Sequence, residues 1–456
     1  MPERRAYARP PEPSPLLTDF YELTMAQAYH RESLHRPAVF SLYFRALPPA
    51  RNYVLACGLG DALSYLETLR FGGADLDALA GTGGFDDGFL RWLEGFRFAG
   101  DVRAMPEGTP VFPDEPLLEI EASLPEAQLV ETLVMNHVHL QSVLGSKAAR
   151  VVHAAGGRPV VDFGMRRMHG IDAAWRSVRA FWIAGVAATS NVAAGLHYGV
   201  PITGTMAHSY VQAHDDELEA FRELTALYPE TALLVDTYDT LAGVRRVVEL
   251  ARQLGPAFRV RAIRLDSGDL AELAKRSREI LDAAGLERVE IFASGGLDEL
   301  EIAALLADGA PVDGFGVGTR MGTSSDAPTL DLAYKLVAYA GRGRLKLSPG
   351  KRILPGPKQV FRREVGGVAE QDVVACAGER LPGRPLLVRV MQGGVRTDSG
   401  QASLEEARAR ARDEIGRLPD RLRRLERAEP AYPVAISGAL RSLADETADR
   451  ALEAAE

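Results

Sequence analysis

Six short apolar segments in the middle of the chain each end in a small polar or charged cluster, and this repetition constrains the fold most. The segments and their clusters are Pro159–Phe163 with Gly164–Arg167, Pro201–Met206 with Ala207–Ser209, Ala232–Val235 with Asp236–Tyr238, Val260–Leu265 with Asp266–Asp269, Val289–Ala293 with Ser294–Gly296, and Val312–Phe315 with Gly316–Thr319. Stretches with helical periodicity, such as 269–284 and 298–308, separate most of them. Strand–helix repeats with continuously apolar strands predict a parallel sheet. Polar clusters at the carboxyl ends of such strands are typical of an α/β barrel enzyme whose site lies on that rim.

The composition excludes several classes of protein. The 456 residues are 46% hydrophobic, as in globular chains, and no apolar run approaches the roughly 18 residues that cross a bilayer. A net charge of −9 disfavours a broad nucleic-acid surface. Two cysteines, Cys57 and Cys376, cannot form a disulfide framework, and the Pro-rich start carries no evident secretory signal. We therefore expect a cytoplasmic protein with neither a nucleic-acid nor a membrane partner.

The two ends of the chain differ from its middle. Residues 1–15 predict a disordered lead-in. Asp19 followed by Glu22 predicts a capping box, which starts a helix that reaches about His30. The predicted domains are an N-terminal α/β domain over 16–135, an α/β barrel over 136–345, and a C-terminal segment with a helical tail over 346–456.

Two glycine clusters, Ser294-Gly295-Gly296 and Gly316-Val317-Gly318-Thr319, follow neighbouring apolar strands. Glycines let the backbone approach a ligand closely, and successive N–H groups near a helix start can cradle an anion. The alternative is that the glycines only make tight turns between strand and helix. Two such clusters on adjacent strands favour a phosphate site.

Asp266 ends a strand, and Arg264 lies two residues earlier on the same face of that strand. A carboxylate in this position can accept from sugar hydroxyls, or bind water on a Mg²⁺ that substrate phosphates carry. No dedicated set of protein metal ligands accompanies it. Asp269 fits a helix N-cap equally well.

Arg166 and Arg167 follow the first of the apolar strands. A guanidinium group clamps a carboxylate or phosphate through two parallel charge-assisted bonds. The alternative is a surface arginine pair, which the preceding strand disfavours.

His208 ends the second apolar segment, and Asp236 ends the third. If these strands are neighbours, the carboxylate can accept from one imidazole nitrogen and make the other a stronger base or nucleophile. A structural histidine is the alternative. No serine–histidine–aspartate elbow, P-loop or metal-type histidine cluster accompanies His208.

The ordered motifs from about Leu16 to Arg362 resemble the nicotinate phosphoribosyltransferase family. They are Leu16–Met25, Phe40–Arg45, Asp162–Arg167, Gly204–Ser209, Asp236–Tyr238, Arg264–Asp269, Gly316–Thr319, Tyr334–Val337 and Pro355–Arg362. The resemblance implies an irregular, incomplete (β/α) barrel joined to a discontinuous α/β domain built from N- and C-terminal segments. It also implies a homodimer with shared active sites.

The resemblance implies that nicotinate and phosphoribosyl pyrophosphate form nicotinate mononucleotide and pyrophosphate, in NAD salvage, with Mg²⁺ and ATP. ATP hydrolysis would be coupled through a phosphohistidine at His208, oriented by Asp236. The implied substrate-binding residues are Tyr21 and Phe163 on the two faces of the pyridine, Thr205 and Arg264 at the nicotinate, Arg166 and Arg167 near it or the phosphates, and Asp266 at the ribose. The implied 5′-phosphate residues are Ser294, Gly295, Gly296, Gly316, Gly318 and Thr319.

The choice of base is predicted from the segment Thr189-Ser190-Asn191-Val192. Related nicotinamide enzymes place an aspartate there, which accepts from an amide NH₂ and repels a carboxylate. Its absence here favours nicotinate, with Ser190 and Asn191 as specificity positions.

Three other functions remain open from the sequence. One is a phosphoribosyltransferase for nicotinamide or another pyridine such as quinolinate, and one is a non-catalytic nucleotide-binding barrel. The third is a phosphate-binding lyase or aldolase, which usually needs a Schiff-base lysine or clustered metal ligands at the rim. Lys275 falls inside a predicted helix, which disfavours the third.

Overall fold

A computed structural model describes residues 14–347 and 353–453. Within these ranges, residues 147–326 form one compact unit, which we call the central unit, and the residues on either side of it form the terminal unit. The division falls inside a long helix, between Ser146 and Lys147. Of the predicted lead-in, residues 1–13 lie outside the described residues. Across 14–347 and 353–453, no helix is both long and apolar enough for a membrane crossing.

The first part of the terminal unit alternates helices and short strands. Its elements are α1 (Phe20–Arg31), β1 (Pro37–Phe44), β2 (Val54–Leu55), α2 (Leu59–Thr68), α3 (Gly73–Gly81), α4 (Asp87–Glu94), β3 (Asp101–Ala104), β4 (Pro110–Val111), β5 (Pro116–Ser123), α5 (Leu124–Leu129) and α6 (Glu131–Ala154). Helix α1 confirms the predicted helix, but the predicted capping box is wrong, because Asp19 makes no cap hydrogen bond. Instead, the hydroxyl of Thr132 lies 2.9 Å from Asp19 Oδ2 and 2.6 Å from Glu22 Oε1. Both carboxylates are thus tied to the start of α6.

The central unit repeats strand and helix. Its elements are β6 (Val160–Asp162), a 3₁₀ turn (Met165–Arg167), α7 (Ile171–Ala184), β7 (Ala188–Thr189), α8 (Val192–Tyr198), α9 (His208–Gln212), α10 (Glu217–Leu227), β8 (Ala232–Leu234), α11 (Thr240–Leu254), β9 (Ala262–Leu265), α12 (Leu270–Ala283), β10 (Glu290–Ala293), α13 (Glu299–Ala307), β11 (Gly314–Val317) and α14 (Thr319–Gly322). The strand centres are fully buried, as the apolar runs predicted; Leu233, Ile263 and Phe315 are each 0% exposed.

The second part of the terminal unit is mostly antiparallel β structure. Its elements are β12 (Leu332–Tyr339), β13 (Arg342–Gly343), β14 (Lys358–Val365), β15 (Val368–Cys376), β16 (Arg384–Pro385), β17 (Val388–Gln392), β18 (Val395–Arg396), α15 (Leu404–Gly416), α16 (Asp420–Arg423), β19 (Val434–Ile436) and α17 (Gly438–Glu453). A seven-stranded sheet has the order β13-β12-β1-β5-β3-β17-β18, so strands from both ends of the chain pair directly. Its apolar side chains, among them Phe40, Leu42 and Ile120, belong to one large hydrophobic core.

The six strands of the central unit form a curled parallel sheet. Their order is β7-β6-β11-β10-β9-β8, and all neighbours are parallel. Within this sheet, the last strand in sequence, β11, pairs with the first, β6, which is how a sheet begins to close on itself. Within the described residues no ladder joins the β7 side to β8, so the sheet stays open. The predicted α/β class is confirmed, and the sheet itself is curled and open.

One predicted strand of this sheet is wrong, and one observed strand was not predicted. The predicted strand over 201–206 does not form; only Ile202 makes an isolated bridge, to Thr189. Pro201 has no N–H to donate to a ladder, and Gly204 weakens a strand. Strand β7 was not predicted, because two residues are too short to show a period.

Helix caps separate two kinds of carboxylate at the carboxyl ends of the strands. Asp239, Asp269 and Asp298 are N-caps whose side chains accept from backbone N–H groups of the helix that follows. Asp236 and Asp266 precede Asp239 and Asp269 by three residues and cap no helix. These two carboxylates therefore remain for other interactions at the rim.

Candidate active site

Arg264 is the centre of a side-chain cluster at the carboxyl end of β9. Its Nε donates to Ser294 Oγ at 2.8 Å, and its Nη1 donates to Thr205 Oγ1 at 2.9 Å and to the Met206 carbonyl at 3.1 Å. Its Nη2 donates to Asp266 Oδ1 at 2.6 Å. Four of the five N–H bonds of the guanidinium are therefore engaged by described residues, and one N–H on Nη2 remains to meet a ligand.

Asp266 is held in its charged form by this cluster. Ser294 Oγ lies 2.5 Å from the Oδ1 that Arg264 also binds. Burial alone would raise the pKa of Asp266, but the hydrogen bonds from Ser294 and Arg264 and the nearby charges lower it below its ordinary value. Its Oδ2 faces His208, and this carboxylate remains an anionic acceptor at the rim.

His208 begins helix α9, and its side chain is 39% exposed. Its Nδ1 lies 3.2 Å from Thr237 Oγ1, and its Nε2 lies 3.9 Å from Asp266 Oδ2. The sequence paired this imidazole with Asp236, whereas the groups beside it in the structure are Thr237 and Asp266. The ring thus lies at the edge of the Arg264 cluster and is partly exposed to solvent.

Asp236 supports the loop that carries Asp266. Its Oδ2 accepts from the backbone N–H of Asp266 at 2.9 Å and from Ser267 Oγ at 2.6 Å. Its Oδ1 is buried and has no hydrogen-bond partner among the described residues. Thr237 and Ser267 were not singled out from the sequence, although both stand inside the rim clusters Asp236–Tyr238 and Asp266–Asp269. A search for hydroxyls next to the rim carboxylates would have found them.

Phe163 lies directly after β6 and packs within the curled sheet. The guanidinium carbon of Arg264 is 5.4 Å from its ring centroid, and the ring of Phe292 is 6.1 Å away. A Cβ on Gly316 would lie 2.5 Å from the Phe163 ring. Gly316 is buried in β11, so its lack of a side chain makes room for this aromatic ring.

The curled sheet surrounds a cavity of about 300 Å³, which is lined mostly by the amino-terminal ends of its strands. All six strands contribute to it, and the lining positions include small residues such as Ala188, Ala232, Ala262 and Gly314. Phe163 and Thr205 line it as well. Small inward side chains leave a space where barrel interiors are usually filled by branched ones.

The loop after β10 carries two glycines with left-handed backbones. Gly295 has φ +94°, and a Cβ there would lie 1.8 Å from the Asp266 carbonyl oxygen. Gly296 has φ +69° and faces open space. Among the described residues, no backbone carbonyl accepts from the N–H of either glycine in the turns and loops. Gly318 and Thr319 start α14 after β11, and the sheet pairs β11 next to β10.

Arg166 and Arg167 lie in the exposed 3₁₀ turn after β6. Arg166 and Arg167 are therefore positioned at the same rim as the clusters after β9 and β10. Ser190 and Asn191 follow β7, but their side chains differ in exposure. Asn191 is 2% exposed; its Oδ1 caps α8 through Ala194 N–H, and its Nδ2 donates to the Ala174 carbonyl at 2.9 Å. Asn191 is thus committed to the backbone, and Ser190 is the more accessible of the two.

Tyr21 belongs to the terminal unit, on α1, and is 43% exposed. Burial and the nearby charges of Glu131 and Glu22 raise the pKa of its phenol. It therefore presents a neutral aromatic ring. Its predicted stacking role stays a prediction.

Within the described ranges, no three histidine, cysteine or acidic side chains come together as metal ligands. A curled parallel sheet with a cation–carboxylate cluster and glycine loops at its carboxyl rim defines an α/β protein with a small-molecule site at that rim.

Comparisons with known proteins identify the family. The model of the nicotinate phosphoribosyltransferase (NAPRTase) family matches residues 159–351, and those of its N-terminal and C-terminal domains match 16–139 and 358–444. Nicotinate phosphoribosyltransferase pncB2 of Mycobacterium tuberculosis is 58% identical over 422 residues, which cover 92% of this chain and 91% of the relative. The human enzyme is 32% identical, with 97% of each chain covered.

The fold agrees with these relatives. The crystal structure of human nicotinic acid phosphoribosyltransferase superposes with a TM-score of 0.84, at 29% identity, and covers 94% of this chain and 99% of that one. The chain belongs to the nicotinate phosphoribosyltransferase family.

Proposed function

We propose that this protein transfers the phosphoribosyl group of phosphoribosyl pyrophosphate to nicotinate, forming nicotinate mononucleotide and pyrophosphate, as a cytoplasmic step of NAD salvage. The observation that carries the proposal is the convergence of Arg264, Asp266, Thr205 and His208 on one rim in a chain of this family. The curled sheet then serves as an incomplete barrel that holds both substrates.

Nicotinate would lie against Phe163, beside Arg264 and Thr205. A pyridine ring stacks on an aromatic face, and the free N–H of Arg264, with the Thr205 hydroxyl, would meet its carboxylate. The segment after β7 carries no carboxylate at Ser190 or Asn191, which favours an anionic base over an amide. Tyr21 would cover the other face of the ring, supplied by a second copy of the chain.

Phosphoribosyl pyrophosphate would lie across the ends of β9 to β11 and β6. Asp266 would accept from the ribose hydroxyls, and the N–H groups of Gly295, Gly296, Gly318 and Thr319 would bind the 5′-phosphate. The exposed guanidinium groups of Arg166 and Arg167 would neutralise the pyrophosphate.

The chemistry needs alignment and charge neutralisation. The ring nitrogen of nicotinate attacks the anomeric carbon, the bond from that carbon to the pyrophosphate oxygen breaks, and pyrophosphate leaves with the electron pair. The state between them has oxocarbenium character, so a fixed anion such as Asp266 near the ribose and cations near the leaving group stabilise it. Mg²⁺ would accompany the pyrophosphate and ATP and neutralise their charge; Asp266 and the unpartnered oxygen of Asp236 are the carboxylates suited to the water around it.

ATP would act through His208. Its Nε2 attacks the γ-phosphorus, ADP leaves, and water later hydrolyses the phosphohistidine to phosphate. Asp266 Oδ2 lies 3.9 Å from His208 Nε2, so a phosphoryl group on that nitrogen would lie beside the Asp266 carboxylate. The negative charge of the phosphoryl group would repel this carboxylate. Such repulsion would change how Asp266 meets the sugar, which couples ATP to substrate affinity.

A homodimer with shared sites would complete the pocket. Exposed apolar side chains follow β6 and β7 in the central unit, among them Ile171 and Val192, and others surround Tyr21 in the terminal unit, among them Leu17 and Phe20. Mixing a Tyr21→Ala chain with a His208→Ala chain tests this: each homodimer should be weak, and the mixture should regain activity through hybrid sites. No recovery from a mixture shown to exchange subunits contradicts shared sites.

The test of the function is an assay of nicotinate mononucleotide formation, with and without ATP, on nicotinate, nicotinamide and quinolinate. We expect nicotinate to be used best and ATP to raise the yield. Preference for nicotinamide would overturn the proposed base. With γ-labelled ATP, acid-labile label should appear on the wild type and be absent from His208→Ala.

A further inference from the structure

An ion pair connects the segments that directly follow the two glycine loops of the rim. Arg320 follows Gly318 and Thr319 on α14, and Asp298 follows Ser294, Gly295 and Gly296 at the start of α13. Arg320 Nη1 donates to Asp298 Oδ2 at 2.9 Å. We propose that Arg320 and Asp298 position the two loops relative to each other, so that both meet the same phosphate. This inference rests on the proposed function.

Asp298 divides its two oxygens between two tasks. Its Oδ1 caps α13 by accepting from the N–H of Leu300 at 2.8 Å, while its Oδ2 binds Arg320. Glu301 completes a capping box, because its Oε2 accepts from Asp298 N–H at 3.2 Å, and its Oε1 is a second acceptor for Arg320. One guanidinium therefore contacts both carboxylates of the box that begins α13.

The start of α13 is also fixed on its other side. Glu299 is 2% exposed, and its two oxygens pair with Arg150 Nε at 2.9 Å and Lys147 Nζ at 2.5 Å. Lys147, 1% exposed, also pairs with Asp326 Oδ1 at 2.8 Å. The part of α6 that belongs to the central unit, from Lys147 onward, thus anchors α13 and the segment after α14, while Arg320 makes a direct link between the two loops.

This geometry predicts that the ion pair affects the two substrates differently. A phosphate bound by N–H groups of two loops requires their spacing to hold within about 0.5 Å. The nicotinate cluster around Arg264 shares no hydrogen bond with Arg320 or Asp298 in the described residues. Ser294 joins this cluster to the loop after β10, so loss of the ion pair should weaken binding of the sugar pyrophosphate more than binding of nicotinate.

The experiment is a double-mutant cycle on the full-length protein with Arg320→Gln and Asp298→Asn. Asparagine also caps helices, so Asp298→Asn keeps the cap and removes the charge. We expect either change to raise the KM for phosphoribosyl pyrophosphate about fivefold, the scale of a partly exposed ion pair, with the KM for nicotinate and kcat within about twofold. The double variant should add nothing to the effect of Arg320→Gln, because Asp298→Asn breaks a contact that Arg320→Gln also removes. Arg320→Lys should restore part of the affinity.

Arg246→Gln is the matched control, since Arg246 forms a similar exposed pair with Glu249 at 3.0 Å on α11. It should leave both KM values unchanged. Three results overturn the proposal: an unchanged KM in Arg320→Gln, additive effects in the double variant, or an effect of Arg320→Gln that Asp298→Asn does not share. The last would mean that Arg320 acts through Glu301 or through the phosphate rather than through Asp298. A wild-type protein that forms no nicotinate mononucleotide would instead defeat the proposed function.

Discussion

Arg264 Nη2 donates to Asp266 Oδ1 at 2.6 Å, so the two charged groups at the end of β9 hold each other in place. Ser294 bridges them, because its hydroxyl contacts both side chains. The guanidinium is therefore oriented before any ligand arrives, which reduces the cost of ordering it on binding.

Arg264→Lys tests this arrangement. Lysine keeps the charge but loses the planar fork, so it cannot bind Ser294, Thr205 and Asp266 at once. We expect kcat/KM for nicotinate to fall about 10- to 100-fold. Arg278→Lys is the control, since Arg278 also spreads its donors over Asp282, Val289 and Leu286. The control should lose thermal stability and keep its kcat/KM; equal losses in both would contradict a binding role for Arg264.

Asp266→Asn should change the acid limb of stability as well as activity. The folded pKa of Asp266 is lowered, so this carboxylate stabilises the fold above its unfolded pKa, and the contribution is lost as pH falls through the folded pKa. The asparagine variant lacks that dependence. Urea unfolding between pH 2.5 and 6 should therefore show a shallower acid loss than in the wild type. If the unfolding free energy fell equally with pH in both proteins, the ion pair between Arg264 and Asp266 would not contribute to stability.

Gly295→Ala should be more harmful than an ordinary glycine change. Its Cβ would lie 1.8 Å from the Asp266 carbonyl, so the loops after β9 and β10 must separate. Gly309→Ala is the control, because Gly309 has φ +72° and open space around it. The control should lose about 1–2 kcal/mol of unfolding free energy and keep its activity. Gly295→Ala should lose more stability and most of its turnover, as calorimetry and a mononucleotide assay would show.

Gly316→Ala separates two roles for this glycine. The sequence placed it in the phosphate cradle, whereas the structure places its missing Cβ 2.5 Å from the Phe163 ring. Overpacking there costs about 1–3 kcal/mol and displaces the ring. We expect the KM for nicotinate to rise about tenfold, with the KM for phosphoribosyl pyrophosphate unchanged. A rise in the KM for phosphoribosyl pyrophosphate alone would instead support a role of Gly316 in binding the 5′-phosphate.

Glu22→Gln should flatten the pH dependence of stability near neutrality. Burial raises the pKa of Glu22 from 4.5 to about 7, although Thr132 and Thr18 donate to its carboxylate. The folded state therefore binds the extra proton, and stability falls as pH rises from 4.5 to 7. The difference in unfolding free energy between wild type and variant should change by about 2 kcal/mol between pH 4.5 and 7. Denaturant unfolding at pH 5, 6, 7 and 8 measures it; parallel curves would contradict the raised pKa.

Much of the rim was predictable because it depends on sequence order. Parallel strands end at one edge, so polar residues after β8, β9, β10 and β11 had to lie near one another. The clusters at Asp236, Asp266 and Ser294 are indeed joined by hydrogen bonds. The short strand β7 was missed, since two residues carry no periodic signal.

The amino-acid order by itself determined the α/β class, the buried strands and the residue types at their carboxyl ends, because hydrophobic runs and turn residues are local properties. Only the tertiary structure decided which of those side chains meet. His208 faces Thr237 and Asp266 rather than Asp236. The Phe163 ring occupies the space that a side chain at position 316 would need. Pairings of this kind depend on the curl of the sheet and on the rotamers that close packing selects, and a linear pattern does not encode those distances.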